Sequence, residues 1–168
     1  MSGKLIAILL VACGIVAGAA MYWLQVYAFY ERLAPSDIDL TVTADGTSGP
    51  LDVVAVEAID ASSSPIRFRA CFEVDGAVTG DAYEGAVPLN APGWFGCFDA
   101  AAIGEDLVQG RATAVLGKAH VQYGIDRVLA FYSDGRGFAW HQINPCGEAA
   151  FDGDPLPAGC PQPPEEFR

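Results

Sequence analysis

The chain is expected to fold as α+β: an antiparallel sheet of five to seven strands with one short helix against it, preceded by a single N-terminal transmembrane helix. Three observations carry this expectation. Residues 5–30 form an apolar run without a charged side chain. Several later segments alternate apolar and polar residues with the period of two of a half-buried strand. Residues 100–109 carry a short helical stripe with recognisable ends.

The apolar run, interrupted only by Gln25 as a strongly polar residue, exceeds the roughly 20 helical residues that cross a bilayer core. Lys4 precedes it, Glu31, Arg32, Asp37 and Asp39 follow it, and Tyr22, Trp23, Tyr27, Phe29 and Tyr30 crowd its C-terminal end. That charge bias and that aromatic belt point to an uncleaved signal anchor with the N terminus inside. The chain then divides into a cytoplasmic stub (1–4), a span (5–30), a linker (31–36), a periplasmic domain (37–145) and a Pro-rich tail (146–168). Within the span, Gly14 and Gly18 have the spacing that lets two transmembrane helices approach closely, with a smooth lipid-facing surface as the alternative. Leu10-Val-Ala-Cys13 matches a lipobox, after which Cys13 would be a lipidated terminus. Hydrophobicity continues far beyond Cys13, however, where a lipoprotein turns polar, and a thiol within a span is the simpler account.

In the domain, Ile38, Leu40 and Val42 alternate with polar residues, and an apolar strand at 51–60 follows the turn signal of Asp45-Gly46 to Gly49-Pro50. Ile66, Phe68, Ala70, Phe72 and Val74 line one face of the next strand, with Arg67, Arg69, Cys71, Glu73 and Asp75 on the other. Residues 77–94, rich in Gly and Pro, read as loop. Asp99 is placed to cap a helix over 100–109 and Gly110 to end it. Residues 112–116 and 120–123 suggest a further strand or hairpin, broken at Gly117-Lys118. Asp134-Gly135 between two β-rich runs favours a two-residue type I′ hairpin. That register sets Phe131 beside Phe138 and Leu129 beside Trp140 on the core face, and leaves His141 with Val128, Ala130 and Tyr132 on the other. From Asn144 onward the chain reads as a loop stapled by its cysteines.

All 21 acidic residues lie at or after Glu31, against 9 Lys and Arg in the whole chain. Such a domain repels nucleic acid phosphates and favours basic partners. Cys71, Cys97, Cys146 and Cys160 form an even set that reads as two disulfides in an oxidising compartment. Three connectivities are open, and chain proximity favours Cys71 with Cys97 and Cys146 with Cys160.

Catalytic signatures are missing. His120 and His141 lack metal-ligand spacing, the run Ser62-Ser63-Ser64 has no nucleophile elbow, and Asp152-Gly-Asp154 is too short for a calcium loop. Arg67, Arg69 and Arg127 are expected to pair with Glu73, Asp75 or Asp126, or else to share a positive spot suited to an anion.

The stretches Ile66-Arg-Phe-Arg-Ala-Cys-Phe, Ala91-Pro-Gly-Trp-Phe-Gly-Cys-Phe-Asp-Ala, Asp126-Arg-Val and Asp134-Gly-Arg-Gly-Phe-Ala-Trp-His-Gln together resemble an uncharacterised family of alphaproteobacterial proteins with one N-terminal span. The resemblance implies a Gram-negative inner-membrane protein with a small periplasmic domain, and brings no catalytic residue with it. The expected role is a non-enzymatic accessory or interaction subunit of an envelope complex. No cofactor is expected, and the expected partners are the inner membrane and a membrane or periplasmic protein, not nucleic acid. One alternative is a small-ligand sensor whose pocket, between sheet and helix, involves Trp94, Phe95, Trp140 and His141. The other is a hydrolase in which His120 or His141 meets an acid and a nucleophile.

Overall fold

The computed structural model describes residues 3–165 and divides the chain into two units, Met1–Tyr30 and Glu31–Arg168. The first unit is a single helix, α1 (Gly3–Val26), with no buried residue. Its 24 residues, with a mean hydropathy of 2.5 over an 18-residue stretch, make it long and apolar enough to cross a membrane. It is shorter than the apolar run, because residues 27–29 turn: the amides of Tyr27 and Ala28 both donate to Trp23 O, at 2.9 and 3.1 Å.

The second unit is α+β. Its six-stranded antiparallel sheet runs β1 (Glu31–Arg32), β4 (Ala55–Asp60), β5 (Arg69–Glu73), β8 (Arg136–Ile143), β7 (Ile125–Tyr132), β6 (Ala112–Gln122). A separate hairpin of β2 (Thr41–Ala44) and β3 (Thr47–Pro50) joins the face of the sheet near β6. The expected linker therefore begins as a strand, with Glu31 paired to Asp60 and Arg32 to Ile59.

Both faces of the sheet are covered. On one, Ala58, Phe68, Ala70, Phe72, Val115, Leu129 and Ala139 pack with Leu40, so the predicted apolar face of the strand at 66–74 is the core face. On the other, Trp140 and Phe138 meet Phe98 at ring distances of 6.4 and 5.9 Å. This second face is roofed by the loop carrying Phe95 and by α2 (Ala100–Val108), whose Ile103 is buried. Asp99 caps α2 as the sequence indicates, its Oδ1 accepting from the amides of Ala101 and Ala102, and Gly110 leaves it at φ +71°.

The Asp-Gly turns of the β2–β3 and β7–β8 hairpins differ. Asp45-Gly46 makes the two-residue hairpin loop, both residues at positive φ as a type I′ turn requires. Its two amides are fixed by Asp81 Oδ1 and Oδ2 at 2.8 and 2.9 Å. At Asp134-Gly135 the structure corrects the expected register. Phe131 pairs with Gly137, so Ser133, Asp134 and Gly135 form a three-residue loop closed by Gly135 in the left-handed region. A one-residue slip turns every side chain over. Phe138 and Trp140 thus lie with Val128 and Ala130, while His141 lies with Arg127 and Leu129. Gly137 is required in this arrangement, since a Cβ there would stand 2.2 Å from the ring of Phe72.

A second correction concerns the expected loop after Asn144, which is helical from Pro145 to Asp152 (α3). Asn144 Oδ1 accepts from Gly147 N at 2.9 Å, Pro145 occupies the first turn and Gly153 closes the helix at φ +77°. The expected strand at 112–123 is β6, and its break is a bulge. Gly117 is the extra residue between the pairs Leu116–Val128 and Lys118–Arg127. Both expected disulfides are present: Cys71–Cys97 ties β5 to the loop before α2, and Cys146–Cys160 ties α3 to the tail, with Cα separations of 6.3 and 5.5 Å.

Candidate functional site

The corrected register sets Arg127 directly opposite His141, and these two side chains enter a groove of about 670 Å³ with Asp60, Lys118 and the Ser62–Ser64 loop. Pro65 O lies 2.7 Å from His141 Nδ1. A carbonyl oxygen only accepts, so Nδ1 carries the proton. Nε2 is then the acceptor for Arg127 Nε–H, at 3.1 Å. Phe68 stacks on the imidazole at 4.7 Å, and the Arg127 guanidinium lies over the Phe68 ring at 4.3 Å.

This geometry keeps His141 neutral. Burial, reinforced by the positive charge of Arg127, brings its pKa down to about 4, against the opposing effect of the Pro65 carbonyl. Both ring nitrogens are engaged. The imidazole therefore has no free lone pair with which to act as the base the hydrolase reading requires.

Arg127 is only partly satisfied by the protein. Nη1 donates to Asp39 O at 2.5 Å and Nε to His141, but among the described residues no carboxylate oxygen comes within 4.0 Å of the guanidinium. Burial lowers its pKa, and the charges of Asp39 and Asp60 work the other way. Asp60 is half-buried; burial raises its carboxyl pKa although its Oδ1 accepts from Ala61 N at 2.7 Å.

Arg69, by contrast, is wholly structural. It is 3% exposed and donates to four backbone carbonyls, those of Leu89, Ile66, Phe68 and Asn90, at 2.6–3.2 Å. It stands on the sheet face opposite Arg127, so the two do not share a positive spot. Neither pairs with Glu73, Asp75 or Asp126. Asp126, also buried, instead accepts from Tyr83 Oη, His120 N and Asn144 Nδ2 at 3.2, 2.9 and 2.8 Å, joining the loop at 83, β6 and the cap of α3. His120 Nδ1 accepts from Gly124 N at 3.1 Å, and its ring stacks on Tyr123.

The four residues considered for a pocket between sheet and helix are not brought together. Trp140 is fully buried and Phe95 nearly so, whereas His141 points from the opposite face of β8 into the groove. Trp94 lies beside Phe95, with the Arg32 guanidinium 5.2 Å above its ring. Phe98 packs edge-on against Trp140, and both Phe98 and Ile103 are buried. A second groove, near the end of α2, is lined by Asp106, Arg111, Tyr132 and Arg136. Its charges are spent on one another: Arg111 pairs with Asp106, Arg136 with Asp134, and Tyr132 Oη donates to Asp106 at 2.7 Å.

Cys13 is exposed and unbridged on α1. Gly14 and Gly18 lie on that helix with open space beside both. Among the described residues no group of three or more His, Cys, Asp or Glu is placed to hold a metal ion.

Arg127 is named by the sequence as part of a possible anion-suited positive spot, but its pairing with His141 depends on the β7–β8 register. The signal was present in Ser133-Asp134-Gly135, which suits a three-residue loop ending in a left-handed glycine.

Fold and groove together define the class: an α+β domain with two disulfides and a mixed-charge groove, following a helix apolar enough to cross a bilayer. The chain belongs to the DUF6446 family, a family of unknown function, whose model matches residues 38–161. The match reaches past residue 145, so α3 and the second disulfide belong to the family region. No curated protein and no solved structure matches the chain.

Proposed function

We propose that the protein is a single-pass membrane protein whose domain lies in the periplasm and serves as a non-enzymatic subunit of an envelope complex. The observation that carries this reading is the joining of an apolar helix with no buried residue, charged only at Lys4 in its first turn, to a domain closed by two disulfides. The charge bias and aromatic belt around the span support the orientation. The surplus of 21 acidic over 9 basic side chains favours a partner with a basic face. Native purification of a C-terminally tagged copy from its own membranes, with quantitative mass spectrometry, tests the reading. A stoichiometric envelope partner that is lost when the span is replaced is the expected result, and a protein that purifies alone contradicts it.

The groove favours a second reading, in which the domain binds a small ligand. It rests on Arg127, a half-buried cation that has no carboxylate partner among the described residues.

A further inference from the structure

We infer that the Arg127 groove is a binding site for a small zwitterion, a free amino acid with an apolar side chain. Its carboxylate would sit on the guanidinium of Arg127 and its ammonium on the carboxylates of Asp60 and Asp39. The inference rests on the ligand-binding reading above and gives it a ligand class.

Opposite charges face one groove without closing on each other. The charges of Asp39 and Asp60 act on the ionisation of Arg127, yet neither carboxylate approaches its guanidinium within 4.0 Å. Arg127 cannot swing to meet them, because Nε is held by His141, Nη1 by the Asp39 carbonyl, and its face lies over Phe68. The planar fork keeps a donor edge for a carboxylate, and the neutral imidazole beside it adds no competing charge.

A simple anion fits less well. Asp37, Asp39 and Asp60 line the groove against Arg127 and Lys118, so phosphate or a dicarboxylate would meet more negative than positive charge. A ligand bearing one charge of each sign satisfies both sets. The remaining wall includes Leu33, Ile38 and Phe68, which suits an apolar side chain. A volume of about 670 Å³ falls within the range usual for small-molecule sites.

The test is isothermal titration of the full-length protein in mild detergent with leucine, isoleucine, methionine and phenylalanine, each in both enantiomers. 4-Methylpentanoate, isopentylamine and inorganic phosphate serve as single-charge probes. At least one amino acid should bind, with the single-charge analogues weaker by roughly 10- to 100-fold, as expected for loss of a charged hydrogen bond. Arg127→Gln should abolish that binding and Asp60→Asn weaken it, while Arg136→Gln, outside the groove, should leave it unchanged. A circular dichroism melt of each variant establishes that it is folded. Equal binding of 4-methylpentanoate or phosphate through Arg127 would overturn the zwitterion and leave ligand binding standing. No binding by any probe, or amino acid binding indifferent to Arg127→Gln in a folded variant, would overturn the site itself.

Discussion

His141 shows how one residue's surroundings decide what chemistry it can do. Its neutral form is fixed by a carbonyl on one nitrogen and an arginine on the other, and this has a consequence for stability. The folded pKa of about 4 lies below the ordinary 6.5. Between those values the unfolded chain binds a proton that the folded chain does not, so stability falls as pH drops from 6.5 towards 4. The full loss is about 3 kcal/mol. Asp60, whose pKa is raised, works in the opposite direction over the acid range and blunts the slope. His141→Gln can keep a donor to Pro65 and an acceptor for Arg127 without titrating. Urea melts of this variant should show a flatter dependence between pH 6.5 and 4; an unchanged acid slope would contradict the assignment. The neutral state itself could not be read from the sequence, because it requires Pro65 and Arg127 to converge from positions remote along the chain.

Among the elements, α2 is legible from local signals, Asp99 and Gly110 marking its ends, whereas α3 contradicts the expected loop although Asn144, Pro145 and Gly153 carry the same kind of marks. The docking of α3 depends on two glycines in near contact: a Cβ on Gly147 would stand 2.2 Å from Gly124 O, and one on Gly124 would stand 2.4 Å from Gly147 Cα. Backbone cannot yield as a side chain does. Gly147→Ala should therefore cost about 3 kcal/mol, visible as a lower thermal midpoint. Asn144→Ala removes both a helix cap and a hydrogen bond to buried Asp126, and should cost about 2 kcal/mol. A loss below 0.5 kcal/mol in either, roughly what a surface change costs, would show that α3 is not held in this way. Hairpin register was the least legible feature. Asp-Gly is compatible with two loop lengths, and with both faces of the sheet buried, apolar alternation could not choose between them.

At the scale of the molecule, the fold class and the apolar helix were readable from composition and pattern, and proximity along the chain favoured the cysteine pairing found without excluding the other two. The groove was not, since β4, β6, β7, β8 and the segment 37–39 meet there only through sheet order. The Cys146–Cys160 bridge closes a short loop, and the Cys146→Ser, Cys160→Ser double variant should lose about 3 kcal/mol on the chain-entropy model, read as a shift in denaturation midpoint. The proposed role requires the domain to fold in an oxidising compartment, with the apolar helix in a membrane. Counting its free thiols tests this most directly: membranes of the native host are trapped in acid, and the denatured protein is labelled with a heavy maleimide before and after reduction. One adduct before reduction, at Cys13, and five after it are predicted from the single unbridged cysteine and the two disulfides. Five adducts without reduction would place the domain in a reducing compartment and contradict the account.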